Sequence, residues 1–250
     1  ARDKEAARKE QEARDKEAAR KEQEARDKEA ALKEQEARDK EAARKEQEEY
    51  DKIIKNELIS NLRNLIEISN VDREKYEKKF EEETADQYGI TLFKSLHWGR
   101  FDQEWISSDS RRSRNFRKHV YAALIDMDSN DWGVFTEILL ISGNGVILNN
   151  LNGYGGSLDP SIVHLYSKKD TLDKLDISDL EKLKNYFEEL WSIKKDLSKI
   201  FIQILLAYKD NNNLIKTDNS KLRSYATPLF EQVKAKTRRT EVLVGKITSI

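Results

Sequence analysis

Five basic residues crowd into eight positions at Arg111, Arg112, Arg114, Arg117 and Lys118, with Trp98, Arg100 and Trp105 shortly before them. Arginine and tryptophan dominate the residues that carry most of the energy in protein interfaces, because each offers a large, desolvatable surface together with directional polar contacts. The chemistry open to this group is recognition of an acidic surface. A protein partner is one reading; an anionic polysaccharide or nucleic acid is another, and a solvated face with buried indoles is a third. Cations in the first turn of a helix oppose its dipole, so local helix stability does not account for them. Arg100, Trp105, Arg111, Arg112, Arg114, Arg117 and Lys118 are therefore the candidate protein-binding residues. A second basic group, Lys234, Lys236, Arg238 and Arg239, falls later in a helical pattern, where the dipole favours cations.

Other chemistries find little support. His97, His119 and His164 fall in three different predicted elements, with no pair at a metal-ligand spacing such as H-E-x-x-H. The run Asn152-Gly153-Tyr154-Gly155-Gly156 lacks the following Lys-Ser/Thr of a phosphate-cradling loop and reads as a turn between helices. Cysteine is absent, which excludes thiol catalysis and Cys-based metal sites. With scattered histidines no nucleophile–base pair can be argued. The expectation is a binding protein, not an enzyme, without cofactor or metal.

Apolar spacing positions these residues on helices. Tyr50, Ile53, Ile54, Leu58, Leu62, Leu65 and Ile66 recur at three- and four-residue intervals, predicting a helix that stops near Asn70. Asp72 then reads as the N-cap of a second helix carrying Tyr76, Phe80, Tyr88, Leu92, Phe93 and Leu96, with Gly89 its weak point. A third helix is predicted over about 111–127, buried through Phe116, Val120, Leu124 and Met127. A fourth starts at Asp131, and Pro160 suits the first turn of a short helix reaching Tyr166. A long helix follows over about 178–210, and a last one begins near Asp218. No segment sustains the alternation of a strand, and Ile138–Leu148 is interrupted by Gly143 and Gly145. The fold class is all-α: an extended charged single helix followed by a helical-bundle domain.

That charged helix is written in the first 48 residues, four near-identical copies of ARDKEAARKEQE broken only by Leu32. Each intact copy balances four bases against four acids, and no Gly, Pro or β-branched residue appears before Ile53. Glu5–Lys9, Glu10–Arg14 and Glu12–Lys16 place an acid four residues before a base, worth about 0.2–0.5 kcal/mol each on a helix. Twelve residues advance a helix about 120° beyond whole turns. Successive Ala pairs therefore rotate around the axis, and no coiled-coil seam forms. Residues 1–49 thus read as a stalk or tether and 50–250 as an all-α ligand-binding domain, which holds all four Trp, nine Tyr and eight Phe. This domain has 31 basic and 30 acidic residues, a balance that argues against a nucleic-acid binder. No apolar run approaches the roughly 20 residues that span a bilayer.

The repeat tether, the cysteine-free helical domain rich in Lys, Asn and Ile, and stretches such as YDKIIKNELISNLRNLIEISN resemble the OspE/F-related outer-surface lipoproteins of Lyme-disease spirochetes, in particular the Elp group. The resemblance implies display on the extracellular face of the bacterial outer membrane through a lipidated cysteine, which this sequence does not contain. It also implies a host serum protein as partner. The leading expectation is binding and inhibition of an initiating protease of the classical complement pathway, the r or s subcomponent of its first component. The alternative is an adhesin for plasminogen or extracellular matrix such as laminin.

Overall fold

The computed structural model describes residues 2–99 and 103–250, with side chains from residue 16 onward and at Arg14. Among the described residues there are six α-helices: α1 (Arg2–Glu81), α2 (Arg111–Leu124), α3 (Trp132–Ile141), α4 (Ile147–Lys168), α5 (Ile177–Lys209) and α6 (Asn219–Thr248). Short 3-10 turns connect them, and the described residues contain no strand, only an isolated bridge between His97 and Trp105. The all-α expectation holds. The chain divides into two units, Ala1–Ile54 and Lys55–Ile250.

In the first unit the repeat is helical and its described side chains are exposed. The pairs Glu5–Lys9, Glu10–Arg14 and Glu12–Lys16 lie outside the described residues. Two of their counterparts in the next copy form, Glu17–Lys21 at 2.8 Å and Glu22–Arg26 at 2.6 Å.

The second unit is built around one core. Leu62 and Ile66 from α1, Phe116 and Val120 from α2, Phe135 and Ile138 from α3, and Leu151 and Leu158 from α4 meet Leu183, Phe187 and Phe201 from α5 and Phe230 and Leu243 from α6. Helix α4 lies against both α2 and α6, and α5 lies against α6. Asp176 and Asp218 cap α5 and α6 by accepting backbone N–H bonds, as Ser110 does for α2.

Three sequence expectations are corrected. Tyr50 and Ile53 are exposed, and the buried stripe of α1 begins at Ile59. The helix does not stop near Asn70 but runs to Glu81. Asn70 donates along the helix to Glu74 at 2.8 Å, and the Asp72 carboxylate takes Lys75 and Lys194 rather than capping a new helix. The turn falls instead at Gln87–Gly89, where Gln87, Tyr88 and Gly89 all adopt positive φ. Last, the glycine run is no loop: Gly153, Gly155 and Gly156 sit inside α4, and Pro160 with them. A Cβ on Gly155 would collide with the backbone carbonyl of His119, and one on Gly156 would lie 3.1 Å from the His119 ring. These glycines let α4 approach α2 closely.

A candidate protein-binding surface on α2

The start of α2 is organised by one carboxylate that a search for basic residues does not single out. Glu104 accepts from Ser108 at 2.7 Å, from Ser113 at 2.8 Å, from the Ser110 hydroxyl and from Arg112, whose Nε lies 2.9 Å away. The Arg112 guanidinium is the first cause that pulls the Glu104 carboxyl down to about 2, and the serine hydroxyls add to it. Trp98 joins the same cluster by donating its indole N–H to Ser113 at 2.8 Å. The Arg112 guanidinium lies over the Trp98 ring at 5.1 Å. Across the bridge, the His97 ring packs at a tilt against that of Trp105, a residue 43% exposed.

Periodicity along α2 then divides the basic residues. Ser113, Phe116, Arg117, Val120, Tyr121 and Leu124 form the buried face. Arg117 is fully buried, its Nε and Nη2 each 2.8 Å from the Glu83 carboxylate. Its Nη1 donates to the carbonyls of Ile106 at 2.8 Å and Ser108 at 2.6 Å. Burial alone would depress the Arg117 pKa, but the Glu83 contact outweighs it and holds the group charged. Tyr121 donates its hydroxyl to the same carboxylate. Lys118 bridges Glu77 at 2.7 Å and Asp159 at 3.0 Å, tying α2 to α1 and α4. Tyr76 and Arg73 complete that cluster on Asp159 at 2.7 and 2.9 Å.

Among the candidates, then, Arg117 and Lys118 point inward and hold the fold. Arg111 and Arg114 are exposed, Arg114 with its guanidinium 5.0 Å from the Phe80 ring centre. Arg112 is anchored by Glu104 with its side chain 46% exposed. Trp105 shares this surface segment, and Arg100 lies outside the described residues. What the arrangement offers is an exposed cationic ridge with an aromatic neighbour, locked from beneath by Glu104 and Glu83.

The other groups raised by the sequence serve elsewhere. Lys236 pairs with Asp196 at 2.7 Å and Arg239 with Glu189 at 2.6 Å, fastening α6 to α5. His119 donates from Nδ1 to Asn152 Oδ1, 3.0 Å away, and burial pushes its pKa down. Among the described residues no group of His, Asp or Glu could hold a metal ion, and no helix is long and apolar enough to cross a membrane.

Comparison with known proteins places this architecture. Residues 77–250 match the family described as Borrelia Bbcrasp-1 domain containing protein. The crystal structure of BSE31 from the Lyme disease agent Borrelia spielmanii is 47% identical, with a TM-score of 0.74 over 78% of this chain and 99% of that one. The outer surface lipoprotein BBA64 of Borrelia burgdorferi has a TM-score of 0.58 at 19% identity, covering 78% of this chain and 96% of its own. The Borrelia burgdorferi outer surface protein BBA65 has a TM-score of 0.62 at 17% identity, covering 74% and 98%. No curated protein matches. The chain belongs to the Borrelia Bbcrasp-1 domain family, and it shares its helical fold with outer surface proteins of Lyme-disease Borrelia.

Proposed function

We propose that this protein is displayed on the outer surface of Borrelia through a lipid anchor, and that it binds and inhibits an initiating serine protease of the classical complement pathway. The family assignment and the outer surface proteins that share the fold support the location. The repeat, which resembles the tethers of OspE/F-related Elp lipoproteins, supports a spacer role for residues 1–49.

One observation carries the binding reading: Arg111 and Arg114 are exposed on α2 beside the anchored Arg112 and the half-exposed Trp105. Proteases of this type cleave after arginine and present acidic specificity pockets, which a protruding guanidinium complements. A rigid support lowers the entropy lost on docking.

The test is the double variant Arg111→Ala/Arg114→Ala, measured for binding to the r and s proteases. Arg117 is left intact, because its loss would disrupt the fold. The expected result is at least about thirtyfold weaker binding, the scale of an interface hot spot, with unchanged thermal unfolding. Unchanged affinity would remove α2 as the site. A serum pull-down that retains plasminogen or laminin, and no complement protease, would replace the inhibitor reading with the adhesin.

A further inference from the structure

In the second unit, the C-terminal ends of α4 and α6, the 3-10 turn after α4 and the first turns of α5 line a small cavity of about 160 Å³. Its wall is aliphatic: Leu165, Leu172, Leu175, Leu183, Ile247 and Ile250. Leu165, Leu172, Leu183 and Ile247 are buried core residues, so the wall is held by the fold and not by a loose loop. An apolar cavity of about 150 Å³ stays dry and takes a ligand the size of benzene.

The mouth is of opposite character. Lys168 and Lys174 are exposed there, with His164 and Thr171 beside them. Among the described residues no acid lines the cavity. Among the described residues neither lysine has an ion-pair partner, whereas the adjacent Lys169 pairs with Glu67 at 2.5 Å. Two unpaired ammonium groups over an aliphatic pocket complement an anion with a short hydrocarbon tail.

We propose that this cavity binds a medium-chain fatty acid, the first six or so carbons of the chain inside and the carboxylate between Lys168 and Lys174. The site is independent of α2 and of the protease reading.

Titration calorimetry of the full chain with linear carboxylic acids of four to twelve carbons tests it. Expected is saturable one-to-one binding, with a Kd of about 0.1–1 mM at eight carbons, the range open to a ligand of about ten heavy atoms. Affinity rises about fourfold per methylene, as full burial of each CH2 requires, and levels off once the tail fills the cavity. Lys168→Ala/Lys174→Ala weakens octanoate by about tenfold or more and leaves octanol unchanged. Three results overturn the proposal: no saturable binding by any acid in the series, affinity that climbs without a plateau to twelve carbons, or octanoate binding indifferent to both lysines. Cosedimentation with phosphatidylglycerol vesicles without binding of the free acids also overturns it, and assigns the lysines to a membrane surface.

Discussion

The two units spend the same four charged residue types in opposite ways. In the repeat, ion pairs such as Glu22–Arg26, Glu29–Lys33 and Glu41–Lys45 join residues four apart, with side chains 58–72% exposed. In the second unit a set of pairs instead joins residues far apart in the chain, with the basic partner buried or nearly so. Arg117 reaches Glu83, Lys118 reaches Glu77 and Asp159, and Lys194 sits between Asp72 at 2.7 Å and Asp126 at 2.8 Å. An exposed pair along one helix gains little, because water already solvates both charges. It also favours helix without favouring any particular packing. A buried pair between helices brings a desolvation cost that only one arrangement offsets, so it selects that arrangement. The repeat's charges pair along its own helix; those of the second unit tie α2 to Glu83, Glu77 and Asp159.

The sharpest way to break this contrast is Arg117→Met. It removes the guanidinium but keeps most of the buried volume, leaving Glu83 with only the Tyr121 hydroxyl and no counter-charge, and taking a donor from the carbonyls of Ile106 and Ser108. Losing one partner of a buried pair costs about 3–5 kcal/mol. All four tryptophans lie after residue 55, so urea unfolding followed by Trp fluorescence reads this unit alone. The added change Glu83→Leu should restore much of the loss, since it removes the orphaned charge. A loss below about 1 kcal/mol would mean that Arg117 is incidental to the packing.

A smaller effect comes from pH. Burial would raise the Asp159 and Asp72 carboxyls, but hydrogen bonds from Tyr76 and Lys118, and from Lys194 and Lys75, more than offset this and hold both below their ordinary value. A carboxyl with a lowered folded pKa stabilises the protein above its unfolded value of about 3.9, and this stability is lost as pH falls through the folded pKa. His119 adds a second window. Its folded pKa is lowered first by burial, so its contribution is complete above about 6.5 and declines as pH falls below that value. Each group adds at most about 1.4 kcal/mol per pH unit. The fluorescence midpoint should therefore fall in two steps on acidification, the upper one reduced by His119→Gln and the lower one reduced by Asp159→Asn. A midpoint flat between pH 7.5 and 5 would show that His119 is not buried as a neutral ring.

How far these features are legible in the sequence varies with the range of the interaction that decides them. The starts of α2, α5 and α6 can be read because local signals agree: apolar stripes at helical spacing and capping residues such as Asp218. The glycine run in α4 cannot. A glycine permits a turn and a close helix crossing equally, and what decides is the backbone of His119, over thirty residues away. The end of α1 is hidden for a similar reason, since the Asp72 side chain is claimed by Lys194 on α5. At the site, composition makes the basic cluster visible but does not divide it. Spacing does: Arg117 falls on the same stripe as Phe116, Val120 and Leu124, which by itself marks it as inward-facing. Its partner Glu83 carries no such mark, being one acid among many.

The repeat should give the smallest response, and that smallness is informative. Glu22, Glu29, Glu34 and Glu41 each pair with a base four residues on. Changing all four to Gln keeps helix propensity nearly constant and removes about 0.3–0.5 kcal/mol of pairing per site. Circular dichroism of the full chain should show a modest loss of helix, largest at low salt and shrinking towards about 1 M NaCl, where the pairs are already screened. The Trp-reported midpoint of the second unit should move by less than about 0.5 kcal/mol, as for surface changes remote from a core. If the midpoint instead fell by several kcal/mol, the repeat would have to be making specific contacts. The division between charges that merely sustain a helix and charges that choose a packing would then be wrong.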